Sequence, residues 1–130
     1  MIIMPQHIIV TEYNPEWTAL FEKEAKLIKS ILKENCVAVY HIGSTAVIGL
    51  KAKPIIDIMP IVYDLQKVDD IAEEFVKIGY EYMDEFGIVG RRYLRKGGDE
   101  RTHQIHIFDI NNKIDIERHL AVRDFLRVVG

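Results

Sequence analysis

The sequence predicts an α/β protein of the α+β kind: a mixed β-sheet with helices packed mainly on one side. Three observations carry this reading. Apolar residues recur at helical spacing in three separated segments, and β-branched or aromatic runs of strand length stand between them. Those runs also follow one another directly, in the order β, α, β, β, α, β, β, β, α, which departs from the regular alternation of a doubly wound parallel sheet. With 130 residues, 48% hydrophobic and 28% charged, the chain is long enough to bury a core and ordinary in composition.

Each element has its own signal. His7 to Tyr13 reads as a short strand, after which Asn14 and Pro15 suit an N-cap and a first helical residue. Trp17, Leu20, Phe21, Leu27, Ile28, Ile31 and Leu32 then predict a helix from about Pro15 to Lys33, with Trp17 in the core. CVAVYHI, Cys36 to Ile42, is a strand, broken by Gly43 and Ser44, and PIIDIMPIV, Pro54 to Val62, supplies the next. Val68, Ile71, Ala72 and Phe75 mark one amphipathic helix ended by Gly79, with a solvated acidic side. Tyr80 to Met83, Ile88 to Arg95 and Thr102 to Ile110 read as strands, the last two joined through Gly97, Gly98 and Asp99. Lys113 to Val129 closes the series as a helix packing through Val122, Phe125, Leu126 and Val129, with His119, Arg123 and Arg127 as a basic stripe.

Composition narrows the function. A formal net charge of −3 gives no general attraction to nucleic acid or anionic membrane, so bulk nucleic-acid binding is not expected. The N-terminal MIIMPQHIIV lacks a basic leader and is interrupted by Pro5 and His7, which argues against a signal peptide or membrane span and for a cytoplasmic protein. The single cysteine, Cys36, cannot form an internal disulfide and reads as a buried, inert thiol. Val128 and Val129 keep the last helix apolar to its end, which either a second subunit covers or fraying exposes; a homo-oligomer stays open.

The chemistry gathers around HIGSTAVIGLKAKPIIDIMPIV, His41 to Val62. Gly43 permits close approach of backbone to a ligand, and Ser44 and Thr45 add hydroxyls beside backbone N–H groups, a combination suited to phosphate, with Lys53 following. Asp57 lies inside an apolar strand and needs a cation, a hydrogen-bond network or an opening to solvent. It is either a metal-binding carboxylate or the ion-pair partner of Lys51, Lys53 or an arginine. Strand parity puts Ile55, Asp57, Met59 and Ile61 on one face. Arg91, Tyr93 and Arg95 share another strand face, with Arg92 and Lys96 opposite, and these arginines either meet phosphate or guard a sheet edge. His103 and His106 project to opposite faces, which argues against joint zinc ligation, whereas Gln104 and His106 share one. His41, at the strand end before the turn, either reaches the pocket or caps the strand.

A Gly-Ser turn, a dozen residues, then a strand carrying Asp resembles the nucleotidyltransferase superfamily signature, and HIGSTAVIGLKAKPIIDI is similar to the GrpB-like family within it. RTHQIHIF, Arg101 to Phe108, and HLAVRDFLR, His119 to Arg127, resemble later blocks of that family. The resemblance implies one nucleotidyltransferase-like domain over residues 1–130, short at its C-terminus because the family usually continues past RDFLR. It implies a site beside the first strands that binds a nucleotide or another phosphorylated small molecule, through Gly43, Ser44, Thr45, His41, Lys53, Arg91, Arg92 and Arg123. Asp57 and His106 become the catalytic candidates, and Asp57 the ligand of a weakly held Mg²⁺ or Mn²⁺. Superfamily enzymes usually carry a second carboxylate two residues after the first, where this chain has Met59. Two functions follow, metal-dependent nucleotidyl transfer or a catalytically silent phosphate-binding or partner module.

Overall fold

Helical spacing in the first segment produces α1 (Glu16–Leu32), whose start is capped as expected: Asn14 Oδ1 accepts the Glu16 N–H at 2.9 Å. The computed structural model of the protein describes residues 10–129, so His7 to Ile9 of the expected first strand lie outside the described residues. Of the remainder, Thr11 alone pairs, in an isolated antiparallel bridge to Ala52. β1 (Cys36–Ile42) and β2 (Ile56–Val62) follow, and then α2 (Leu65–Asp70) and α3 (Ala72–Lys77). The single second helix expected from the spacing is therefore two short ones, broken at Ile71, whose φ of −114° and ψ of 16° leave the helical region. β3 (Tyr80–Tyr82), β4 (Arg91–Lys96), β5 (His103–Asp109) and α4 (Lys113–Val129) complete the order.

The five strands form one mixed sheet in the order β1-β2-β5-β4-β3, with only β2 and β5 parallel. One face carries Ile56, Ile58, Val62, Leu94, Ile105 and Ile107, covered by Trp17, Ile28 and Leu32 of α1, Val68 of α2 and Phe75 of α3. Buried Glu24 pins α1 to this face by accepting the Tyr80 hydroxyl at 2.6 Å and the Lys96 ammonium. Three helices on one face match the expected architecture.

The other face holds Ile42, Met59, Ile61 and Phe108, and α4 lies over them through Ile116 and Leu120. This corrects the expected packing face of α4, since Val122 and Phe125 are 54% and 64% exposed. The inward stripe is Ile116, Leu120 and Arg123, one helical face at its usual spacing, and exposed Arg127 continues it to the rim. Both arginines reach backbone carbonyls under the helix: Arg123 Nη1 donates to His41 O at 3.5 Å and Arg127 Nη2 to Ala46 O at 3.1 Å.

Candidate functional site

Between β1 and β2 the chain turns at Gly43, whose φ of 73° and ψ of −173° belong to a region that is essentially glycine's alone. A 3-10 turn over Ser44–Ala46 follows. The need for glycine is doubled by crowding, because a Cβ at this position would stand 2.7 Å from Asp57 Oδ2. Turn and carboxylate therefore touch. Beside them opens a cleft of about 360 Å³, lined by Ser44, Thr45, Lys51, Lys53, Asp57 and Gln104. A recess of about 460 Å³ near the end of α1 is larger but collects only solvated Lys33, Glu34, Lys67, Asp70 and Glu74 among its charges, so the smaller one is the candidate site.

Pairing of β2 with β5 brings His106 to Asp57: His106 Nε2 lies 3.3 Å from Asp57 Oδ1. On the far side of the imidazole, Arg91 Nη1 lies 3.4 Å from Nδ1. Arg91 is buried, and its guanidinium also donates to Glu85 O at 3.3 Å and Phe86 O at 3.0 Å. Tyr93 and His119 flank the His106 ring with centroids at 5.4 Å and 5.7 Å. Burial, then the neighbouring His106, pushes the His119 pKa below the usual imidazole value. His119 was legible only as part of a basic stripe; its place over the site depends on how α4 is turned.

His41 leaves this face. Its register partner is Ile58, and its ring stacks on Phe21 of α1 at 4.7 Å with planes 7° apart. The Thr45 hydroxyl donates to Ile55 O at 3.1 Å, so its oxygen accepts from His41 Nε2 at 3.0 Å. Desolvation lowers the His41 pKa to about 4, helped by Arg127 and Arg123 and opposed by Asp57, which keeps the ring neutral. His41 and the Thr45 side chain thus brace the turn from behind, which corrects the phosphate contact expected of His41. The Ser44 hydroxyl, by contrast, has no hydrogen-bond partner among the described residues.

Other candidates divide by face. Arg92 lies on the α1 side and holds Asp69 by Nε and Nη2 at 2.8 Å and 3.1 Å, a pairing that raises the arginine pKa and lowers that of the carboxyl. The Tyr82 hydroxyl also donates to Asp69. This corrects two expectations: Arg92 does not face the cleft, and the acidic side of the second helix is not merely solvated. Arg123 is occupied by Asp124 at 2.9 Å and by the His41 carbonyl, a clamp in place of the expected phosphate contact. Lys53 is exposed at the cleft rim, and Lys51 pairs with Glu12 at 3.2 Å. His103 lies 3.8 Å from Glu24, on the opposite face from His106. Sequence reasoning missed Arg101, whose Nε is buried with no hydrogen-bond partner among the described residues. Cys36 is half-buried, and desolvation raises its thiol pKa.

A divalent metal finds little to hold here. Among the described residues no group of three His, Cys, Asp or Glu side chains converges. The position two residues past Asp57 is Met59, fully buried beneath α4, and a thioether is a poor donor for a hard cation. These residues do not fit a metal held by protein alone.

Solved structures of similar fold define the class. The Cid1 poly(U) polymerase superposes with a TM-score of 0.54 at 14% identity, over 89% of this chain and 37% of that one, which shows the fold alone: a nucleotidyltransferase-like domain. The narrower assignment comes from sequence, where the family described as GrpB protein matches residues 7–129. The chain belongs to the GrpB family. A crystal structure of conserved protein GrpB from Enterococcus faecalis is 59% identical with a TM-score of 0.90, covering 92% of this chain and 72% of that one. The Bacillus subtilis protein YqkA is 41% identical over 115 residues, 88% of this chain and 33% of YqkA. Glutamate-rich protein GrpB of Alkalihalophilus pseudofirmus is 32% identical over 124 residues, 92% of this chain and 71% of that protein. The chain spans 33% and 60% of the length of YqkA and of BH1888 of Halalkalibacterium halodurans, two curated relatives it matches. No helix among the described residues is long and apolar enough to cross a membrane.

Proposed function

We propose that the chain binds a nucleotide or another phosphorylated small molecule in the cleft between the Gly43 turn and Asp57. The observation that carries this is the contact itself: a turn that tolerates only glycine is held against a carboxylate at the wall of an open cleft. In this reading the phosphate lies along Ser44 and the backbone N–H groups of the turn, with Lys53 supplying a cation at the rim. The fold neighbour Cid1 has been crystallised with a UTP analogue and, as a point mutant, with MgATP, which agrees with the ligand class. Asp57 would give Mg²⁺ or Mn²⁺ one oxygen ligand, the rest coming from phosphate and water, so the ion is weakly held without its nucleotide. The same reading keeps the expectation of a cytoplasmic protein.

A specific observation favours the silent form of this reading over nucleotidyl transfer. Met59 fills the second carboxylate position and is sealed under α4, so a metal-dependent transferase lacks a ligand. Calorimetric titration of ATP, UTP and inorganic triphosphate, with and without Mn²⁺, tests binding. Ser44→Ala should weaken binding by about ten- to a hundredfold, the size of one hydrogen bond to a charged group. Equal affinity in Ser44→Ala and Lys53→Ala for every ligand that binds would remove the turn from the site. Asp57-dependent pyrophosphate release by the wild type would overturn the silent form.

A further inference from the structure

The geometry points to Arg91 and His106 as a tautomer lock that aims Asp57, which makes them positioning residues of the cleft. The inference rests on the reading that Asp57 serves a ligand there. A guanidinium has only N–H donors and keeps its charge, so a nitrogen lone pair must face it. Arg91 Nη1 lies 3.4 Å from His106 Nδ1, which makes Nδ1 the acceptor and puts the single imidazole hydrogen on Nε2. Nε2 then donates to Asp57 Oδ1 at 3.3 Å. The opposite tautomer fails twice: N–H would face N–H at Arg91, and a lone pair would face a carboxylate oxygen at Asp57.

Arg91 can impose this because it is itself fixed. The carbonyls of Glu85 and Phe86 hold its Nε and Nη2, and the Tyr93 ring lies under the guanidinium carbon at 4.8 Å. The segment giving those carbonyls is built against local preference. Asp84 and Phe86 have φ of 55° and 45°, and a bulky aromatic in that region persists only where its surroundings demand it. Glu85 Oε2 accepts the Gly90 N–H at 2.8 Å and closes the loop on itself. At the other end of the chain of contacts, Asp57 has one oxygen committed to His106. The other, Oδ2, lies against the Gly43 turn with no donor among the described residues. The lock leaves Oδ2 as the acceptor that meets a ligand hydroxyl or a phosphate-bound cation at the turn.

The readout is the tautomer. Long-range ¹H–¹⁵N correlation spectra of the ¹⁵N-histidine-labelled protein should show the Nε2–H tautomer of His106; an Nδ1–H tautomer in the wild type would overturn the lock by itself. Arg91→Met leaves only Asp57 opposing the Nδ1–H tautomer and should raise its population, and an unshifted spectrum in that variant would show that Arg91 adds nothing to what Asp57 fixes. Binding of ATP with Mn²⁺ then tests the aim. His106→Gln keeps an N–H directed at Asp57 and should stay within about threefold of wild type, whereas His106→Leu should lose about tenfold. Equal affinity of His106→Leu and wild type would remove His106 from the site. If the wild type binds neither ATP nor triphosphate, the failure belongs to the cleft reading, and the spectrum still decides the lock.

Discussion

Replacing Gly43 by alanine should separate the two reasons that glycine stands there. The first is conformational: φ 73° with ψ −173° is nearly closed to residues bearing a Cβ and costs on the order of 1–3 kcal/mol. The second is steric. The new methyl would lie 2.7 Å from Asp57 Oδ2, 3.2 Å from its Cβ and 3.3 Å from its Cγ, so the carboxylate must turn away from the position in which it meets His106. Forced overpacking of this sort adds roughly 1–3 kcal/mol, and with each effect taken at about 1.5 kcal/mol the total is about 3 kcal/mol. At about 4 °C per kcal/mol for a chain of this size, the melting temperature should fall by roughly 12 °C. Gly49→Ala is the control, since Gly49 also has positive φ, 85°, but nothing lies within 4 Å of its would-be Cβ. It should cost only about 1 kcal/mol. Urea unfolding of the three proteins gives both free energies. A Gly43→Ala cost no larger than that of Gly49→Ala would refute the claim that turn and carboxylate are in contact.

Acidification should destabilise the protein in a defined window. His41 is held near pKa 4 when folded against about 6.5 unfolded, so the unfolded chain binds its proton first. Its contribution is fully present above pH 6.5 and lost as the pH falls toward 4, by up to about 3 kcal/mol. His119 and His103 are shifted in the same direction. His41→Gln, which can keep a donor on Thr45, should flatten a plot of unfolding free energy against pH over that interval; an unchanged slope would remove His41 as its source. Arg92→Leu should cost about 1–3 kcal/mol by leaving half-buried Asp69 without its cationic partner and with only the Tyr82 hydroxyl, yet leave nucleotide affinity unchanged. A loss of affinity in a variant that still melts cooperatively would return Arg92 to the site.

Much of this was legible in sequence because it depends on local period. Asn14 before an apolar stripe set the start of α1, alternation through Asp57 and Met59 set which side chains share a sheet face, and His119 to Arg127 was rightly helical. What failed needed the third dimension. The spacing of Val68 to Phe75 suits one helix as well as two, and nothing local announces the break at Ile71. The apolar residues of α4 suggested an inward face, but it is Arg123 and Arg127 that reach the His41 and Ala46 carbonyls under the helix. Of the paired arginines in β4, alternation separated Arg91 from Arg92 but could not say which face held Asp57. That depended on the register of β4 with β5 and of β5 with β2.

The parallel pairing of β2 with β5 sets when the site comes into being. Asp57 and His106 are 49 residues apart in sequence and meet only through that pair, which encloses α2, α3, β3 and β4. Such a contact is among the last a chain can afford, because the entropy of closing the intervening loop is lost before the contact repays it. Local hairpins and helices can be native while the carboxylate still has no histidine beside it. The ability to bind at this cleft should therefore lag behind the gain of helical signal during refolding, and a ligand added early would find helices and hairpins without a site.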